Sequence, residues 1–256
     1  MRKARVSCIG VSGLAMLSWL QLPPGFGETP VHPRPGVGDA TPVARPIMRL
    51  EQVVDGMVAR NADRALALKG FEGKRTYRLE YKGFPSGKSA EMQVEVRYSA
   101  PATKEFTVVS QSGSGMLINR VLKKLLEGER EAMDDKARER NALSPANYKF
   151  TLDHTEQNDG RFQYVLKVEP RREDKFLYRG KIWVDGDDLA VVRIEAEPAK
   201  NPSFWIKKTE ITHHYVKLGD FWLPAQNRSK SNTRFGGHAT LEIEYTDYRV
   251  NPPAVK

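Results

Sequence analysis

The sequence predicts a mainly β (α+β) domain, a half-open antiparallel β-barrel with helices over its mouth or hollow. Three features lead there. A helical periodicity near the start gives way to runs of period two, one further apolar helix interrupts those runs, and the rest of the chain reads as strands separated by short turns. Short connections favour an antiparallel meander, because parallel βαβ units need long crossovers. A curved sheet with two apolar helices must pack them against one face.

Arg2, Lys3 and Arg5 precede an uncharged stretch whose core, residues 9–22, is largely apolar. Pro23-Pro24 ends any helix there, and Gly25-Phe26-Gly27 places small residues at the −3 and −1 positions of a cleavage site. Residues 1–27 therefore read as a secretory signal peptide. The alternative is an uncleaved anchor, for which the apolar core is short of a span of about 20 residues. Cys8, the one cysteine of the 256 residues, lies ahead of the apolar core, the wrong context for a lipoprotein cysteine. The mature chain is thus expected to lack cysteine and to be periplasmic in a diderm source. Seven prolines between Pro23 and Pro46 make residues 28–44 an extended tether. The folded domain is expected over 45–251.

Ile47, Leu50, Val54, Met57, Val58, Ala62 and Ala65 recur at helical steps, giving one amphipathic helix over about 45–69, stopped at Lys69-Gly70. Strand alternation follows over 77–81, 92–98 and 105–110. A narrow stripe of Leu117, Ile118, Val121, Leu122, Leu125 and Leu126 forms a second helix after a Gly/Ser hinge at 112–115. Residues 127–140 are densely charged with both signs and read as a solvated helix or a pair of short ones. Seven more strands are expected at 148–156, 162–169, 176–185, 189–197, 206–218, 221–230 and 238–249. Turn signals lie between them at Asn158-Asp159-Gly160, Asp185-Gly186, Gly219-Asp220 and Gly236-Gly237.

The formal charge of +9 invites a nucleic-acid reading. Its placement argues otherwise. Residues 1–27 hold three basic and no acidic residues, which leaves an excess of six, and residues 200–234 carry five of that excess. This basic stretch includes Lys207, Lys208, Lys217, Arg228, Lys230 and Arg234, interleaved with aromatic residues. In a secreted chain it suits a solvated face, or attraction to an anionic membrane surface or an acidic membrane-protein partner, and no nucleic acid.

Catalytic patterns do not assemble. Gly83-Phe-Pro-Ser86-Gly87 lacks the spacing of a nucleophile elbow, and no phosphate-cradling glycine loop opens a helix. His213 and His214 are adjacent on a strand and must face opposite ways, so they cannot readily share one metal. Asp185-Gly186-Asp187-Asp188 reads as a hairpin turn and not as a calcium loop. No catalytic residue, metal or cofactor is assigned. The apolar strand positions remain. Tyr77, Leu79, Tyr81, Met92, Val94, Val96, Tyr98, Phe162, Tyr164, Leu166 and Val168 either fill a core or line a hollow suited to acyl chains, with the 117–126 helix as lid.

Three stretches resemble segments of the extracytoplasmic lipoprotein-carrier superfamily. They are Lys181 to Glu195 (KIWVDGDDLAVVRIE), Gly219-Asp-Phe-Trp-Leu-Pro224 and Tyr245-Thr-Asp-Tyr-Arg-Val-Asn251. That superfamily comprises the LolA-LolB-like outer-membrane lipoprotein-sorting proteins and the N-terminal domain of the periplasmic sigma-E regulator. The resemblance implies an unclosed barrel of about eleven strands, against ten read from the sequence, with a helical lid and a hydrophobic cavity that performs no covalent chemistry. The expected function is that of a non-enzymatic carrier shielding a lipid or lipoprotein acyl moiety. A sensor that binds a protein partner is the second reading, and a secreted enzyme the third.

Overall fold

Helix α1 (Leu50–Ala67) leads into β1 (Gly70–Lys82), β2 (Lys88–Ser99) and β3 (Thr103–Gly113). A helical connection follows. It comprises α2 (Gly115–Leu117), a π-helical stretch (Ile118–Leu122), α3 (Lys123–Glu131) and α4 (Asp135–Asn141). The chain then runs through β4 (Tyr148–Asn158), β5 (Arg161–Pro170), β6 (Tyr178–Asp185), β7 (Val191–Pro198), β8 (Ile206–Leu218), β9 (Phe221–Thr233) and β10 (His238–Val250). These elements come from a computed structural model, which describes residues 47–251 except 85, 102, 132–134, 175, 202, 203, 205 and 235. The expected signal peptide and tether lie outside the described residues.

All ten strands form one antiparallel sheet in the order β3-β2-β1-β10-β9-β8-β7-β6-β5-β4. Every ladder except one joins consecutive strands. The exception pairs β1 with β10, from Phe71↔Val250 to Lys82↔His238. β3 and β4 are therefore the two edges, and the chain must cross the sheet to pass from one to the other. The helical connection makes that crossing on the concave side. Register shifts at Glu72/Lys74, Leu152/His154 and His214/Tyr215 bend the sheet, as bulges do. The fold is the half-open barrel the alternation predicted, with ten strands.

The junction beside the β1–β10 ladder is tied by Asn251. Its side-chain Oδ1 accepts from Lys69 N at 2.8 Å and Gly70 N at 3.2 Å, and its backbone N donates to Gly70 O at 2.8 Å. The other two motif segments are structural in the same way. Lys181 to Glu195 is the β6–β7 hairpin. Trp222 at the start of β9 donates Nε1–H to Asp188 Oδ2 at 2.9 Å, and Pro224 O accepts from the Tyr248 hydroxyl at 2.9 Å.

Helix α1 covers the β4–β7 half of the concave face. Val53, Val54 and Met57 pack with Tyr148, Tyr164, Leu166, Val168, Tyr178 and Ile182. The helix is shorter than expected because it begins at Leu50, where Arg49 N donates to Gln52 Oε1 at 2.9 Å. Near its other end, the Arg64 guanidinium donates to Asp188 O at 2.9 Å and Leu189 O at 3.2 Å, which binds α1 to the β6–β7 turn. Gly56 permits this approach: a Cβ there would collide with Leu189 Cδ1. On the convex side, Val165, Trp183 and Val192 form a small third cluster, capped by the Arg193 guanidinium 4.5 Å from the Trp183 ring.

Candidate functional site

The concave face is read most directly across the strands. Met92, Tyr77, Ile243, Asn227, His213, Ile194, Ile182 and Leu166 are register partners in sequence from β2 to β5. A parallel row runs Ala90, Leu79, Leu241, Ser229, Ile211 and Ala196. Both rows are apolar at their ends and polar on β9, with His213 extending the polarity to β8. Asn227, Ser229 and Ser231 on β9, with Thr209 and His213 on β8, are buried and form a polar band between two apolar lobes. Within it, Thr209 Oγ1 and Ser231 Oγ are 2.9 Å apart, and Asn227 Nδ2 donates to the Tyr245 hydroxyl at 2.7 Å.

The residues expected to line the hollow divide between these lobes. Tyr77, Leu79, Met92, Val94, Val96 and Tyr98 lie in the lobe of β1, β2 and β10, buried beneath the helical connection. Tyr81 is half-buried near the β1–β2 turn. Tyr164, Leu166 and Val168 lie in the other lobe beneath α1, with Phe162 half-buried against the Tyr164 ring in an edge contact at 5.1 Å. The 117–126 helix thus covers one lobe only. The sequence does not show this division, because strand alternation says which residues share a face but not which helix lies over them.

Leu117, Ile118, Val121, Leu122, Leu125 and Leu126 all face the sheet and are buried in the first lobe. These apolar pairs recur every four residues. An α-helix turns about 100° per residue, so such a stripe drifts by roughly 40° per repeat. The wider π turn between Ile118 and Leu122 takes up that drift, and Lys123 N donates to Ile118 O, five residues back. The expected hinge is smaller than the sequence suggested, because Ser112 and Gly113 belong to β3. Gly113, with φ +88°, turns the chain out of the strand into the lid.

The lid is also held by charge. Glu129 of α3 is 2 % exposed, Arg75 of β1 is 4 % exposed and Lys104 of β3 is 6 % exposed. Arg75 Nη1 donates to Glu129 Oε1 and Oε2 at 3.0 and 2.9 Å, and to the Tyr77 hydroxyl at 3.1 Å. Lys104 Nζ donates to Glu129 Oε1 at 2.8 Å. Rings stack on both cations. The Arg75 guanidinium lies 4.8 Å from the Tyr245 ring centre and Lys104 Nζ lies 5.6 Å from that of Phe71. Burial works against ionisation of Glu129, but Arg75 and Lys104 outweigh it and hold its pKa below the usual carboxylate range. Burial and the neighbouring Arg75 push the Lys104 ammonium well down.

This cluster corrects the expectation that 127–140 is solvated throughout: the stretch does form two short helical pieces, but Glu129 is buried. Glu129 continues the lid stripe, three and four residues after Leu126 and Leu125, so its spacing carried the signal. Arg75 keeps the parity of Tyr77 and Leu79, and Lys104 pairs with Tyr98, so both stand on the inner face.

The basic stretch is paired with acids from its own strand, from neighbouring strands and from the β6–β7 turn. Lys208 bridges Glu197 and Glu210 at 3.0 and 2.9 Å, Lys217 reaches Asp188 at 2.7 Å, and Arg228 lies 3.9 Å from Glu242. Arg234 donates to Phe204 O and stacks over its ring at 4.8 Å, while Lys207 and Lys230 are exposed. The face is of mixed sign. A groove of about 570 Å³ among the outer strand residues is likewise charged, lined by Glu72, Lys74, Glu95, Arg97 and Arg249 among others. His213 is buried on the concave face and His214 half-buried on the other side of β8, as alternation requires. Among the described residues no helix is long and apolar enough to cross a membrane.

The site and fold together define a lidded, half-open antiparallel β-barrel. Residues 86–248 match the family described as a family of unknown function, DUF5686, and the chain belongs to that family. No curated protein matches the chain. Among solved structures, it is similar to a putative outer membrane lipoprotein-sorting protein domain from Vibrio parahaemolyticus, with 13% identity over 80% of this chain and 95% of that one and a TM-score of 0.43. A DUF1329 family protein from Desulfovibrio piger shows 14% identity over 80% and 95% of the two chains, TM-score 0.41. A LolA superfamily protein from Nitrosomonas europaea shows 10% identity over 81% and 96%, TM-score 0.37. These are likenesses of fold.

Proposed function

We propose that the chain is a non-enzymatic extracytoplasmic carrier whose concave face shields an acyl chain beneath the 117–126 lid. The supporting observation is the character of the lid. It is a connection between two edge strands that contributes six apolar side chains to the first lobe and is not itself part of the sheet. An acyl chain could take the place of those side chains contact for contact, at about 0.8 kcal/mol per buried methylene. The residues set out for the hollow, Tyr77 to Tyr98 in particular, would be its floor. The polar band of β8 and β9 marks where an apolar ligand would stop. Cargo of lipoprotein type, export through the 1–27 segment and approach to an anionic membrane by the 200–234 stretch belong to the same reading.

Native mass spectrometry of the protein before and after delipidation tests it, together with uptake of a fluorescent fatty-acid probe. Recovery with bound lipid, and uptake after delipidation, are expected. Val121→Asp should reduce uptake while the chain stays folded. A protein recovered without lipid and unable to take up the probe would exclude a carrier. A pull-down that retains one stoichiometric membrane protein in place of lipid would favour the sensor reading.

A further inference from the structure

We infer that Arg75 and Lys104 form the recognition site for the head of an anionic amphiphile, a long-chain carboxylate, and that Glu129 of the lid occupies this site in the closed structure. The inference rests on the acyl-chain reading of the hollow and narrows the ligand to a free fatty carboxylate in place of a lipoprotein, whose ester- or amide-linked acyl chains carry no such head.

The two cations belong to the sheet and the carboxylate belongs to the lid. Arg75 stands on β1 and Lys104 on β3, both on the inner face, with Tyr77, Phe71, Phe106 and Tyr245 around them. Glu129 meets them at 2.8–3.0 Å through both carboxylate oxygens. It stands at the end of the apolar stripe formed by Leu122, Leu125 and Leu126. The lid therefore presents, as one piece, the two parts of a fatty carboxylate: an apolar run and a terminal anion.

Raising the lid separates both ion pairs at once. Arg75 and Lys104 cannot follow Glu129, because their backbones are fixed in ladders and their heads are held against aromatic rings. Losing these buried pairs is costly unless another anion takes the place of the carboxylate. A neutral amphiphile restores the apolar contacts but not the pairs. A cationic one is repelled. A carboxylate-headed chain restores both, with charge-assisted hydrogen bonds to the same donors.

The test uses the delipidated full chain at neutral pH, titrated with a palmitate-length fluorescent fatty acid and, separately, with its methyl ester. The acid should bind roughly tenfold tighter than the ester or more. Lys104→Met should weaken the acid and leave the ester unchanged. Glu129→Gln removes the competing carboxylate and should strengthen acid binding more than ester binding. Equal affinity of the unsubstituted protein for acid and ester would overturn the head-group site and leave the acyl hollow standing. Uptake of neither probe would overturn both. The acid-to-ester comparison needs no substitution, so it decides the matter even where a variant does not fold.

Discussion

A Cβ on Gly113 would collide with the carbonyl oxygen of Ser89, the same oxygen that accepts a hydrogen bond from Ser114 N at 2.7 Å. The end of β3 and the start of the lid are thus fitted around one backbone atom of β2. Gly113 also holds φ +88°, which side-chain-bearing residues rarely adopt. Gly113→Ala should therefore destabilise the domain by about 1–3 kcal/mol. The loss should appear as a lower urea midpoint, with faster proteolysis in residues 114–131. An unchanged midpoint would mean that the lid start is not fixed by this contact.

Glu129 makes the lid sensitive to acid. Its pKa in the folded state is below its ordinary value of 4.5, so its contribution is complete above that value and is lost as pH falls through the lowered pKa. Binding of a hydrophobic dye should rise in that acid window as the lid lobe opens. Glu129→Gln should show the dye-binding lid already at neutral pH, with a flatter acid response. Breaking a buried pair by removing one partner costs about 3–5 kcal/mol, the upper bound for the stability lost.

Lys104 acts in the opposite pH direction from a paired surface lysine. Its folded pKa lies well below 10.5, so the unfolded chain binds a proton that the folded chain releases. Stability should rise with pH from the folded value up to about 10. Beyond that the buried tyrosines, whose pKa values are raised by burial, oppose it as the unfolded chain begins to ionise them. Urea unfolding at a series of alkaline pH values measures the slope, and Lys104→Met should abolish the rise.

Leu122 is fully buried at the centre of the lid stripe. Leu122→Ala should cost about 2–5 kcal/mol through lost burial and the cavity left behind. A cost below about 1 kcal/mol, the scale of an exposed change, would show that the lid does not pack on the sheet in solution.

Asp185 organises the β6–β7 turn. Its carboxylate receives Arg161 Nε at 2.5 Å, and its Oδ1 accepts from Asp187 N and Asp188 N at 3.0 and 2.8 Å. Asp185→Ala should lower stability by about 1–3 kcal/mol, because the turn amides lose their acceptor. Amide exchange at Asp187 and Asp188 should quicken in that variant.

Most of this architecture can be read from the sequence. Period two marks all ten strands, and the 117–126 stripe marks the lid, because both signals are local. The expected strands were short at their ends, as at 77–81 within Gly70–Lys82, since charged residues such as Lys74 and Arg75 broke the apolar alternation. Arg75 and Glu129 escape a local sequence reading for a related reason. A charged residue on an apolar stripe reads as an interruption until its counter-ion is located, and that partner sits 54 residues away. The basic stretch misleads in the same way. Its neutralising acids, Glu197, Asp188 and Glu242, come from other strands or turns and are invisible in a local count.

The β1–β10 ladder has a consequence for the making of the protein. It joins the first strand of the domain to the last, between the third and fourth strands of the sheet. Until His238–Val250 has been synthesised, β1–β3 and β4–β9 are two unjoined sheets, each with an apolar face and an open edge. The concave face does not grow strand by strand; it becomes continuous when the final strand docks. A chain cut short before β10 would not be a weaker version of the protein but a pair of sticky fragments, and proofreading by proteases and chaperones would see it as such.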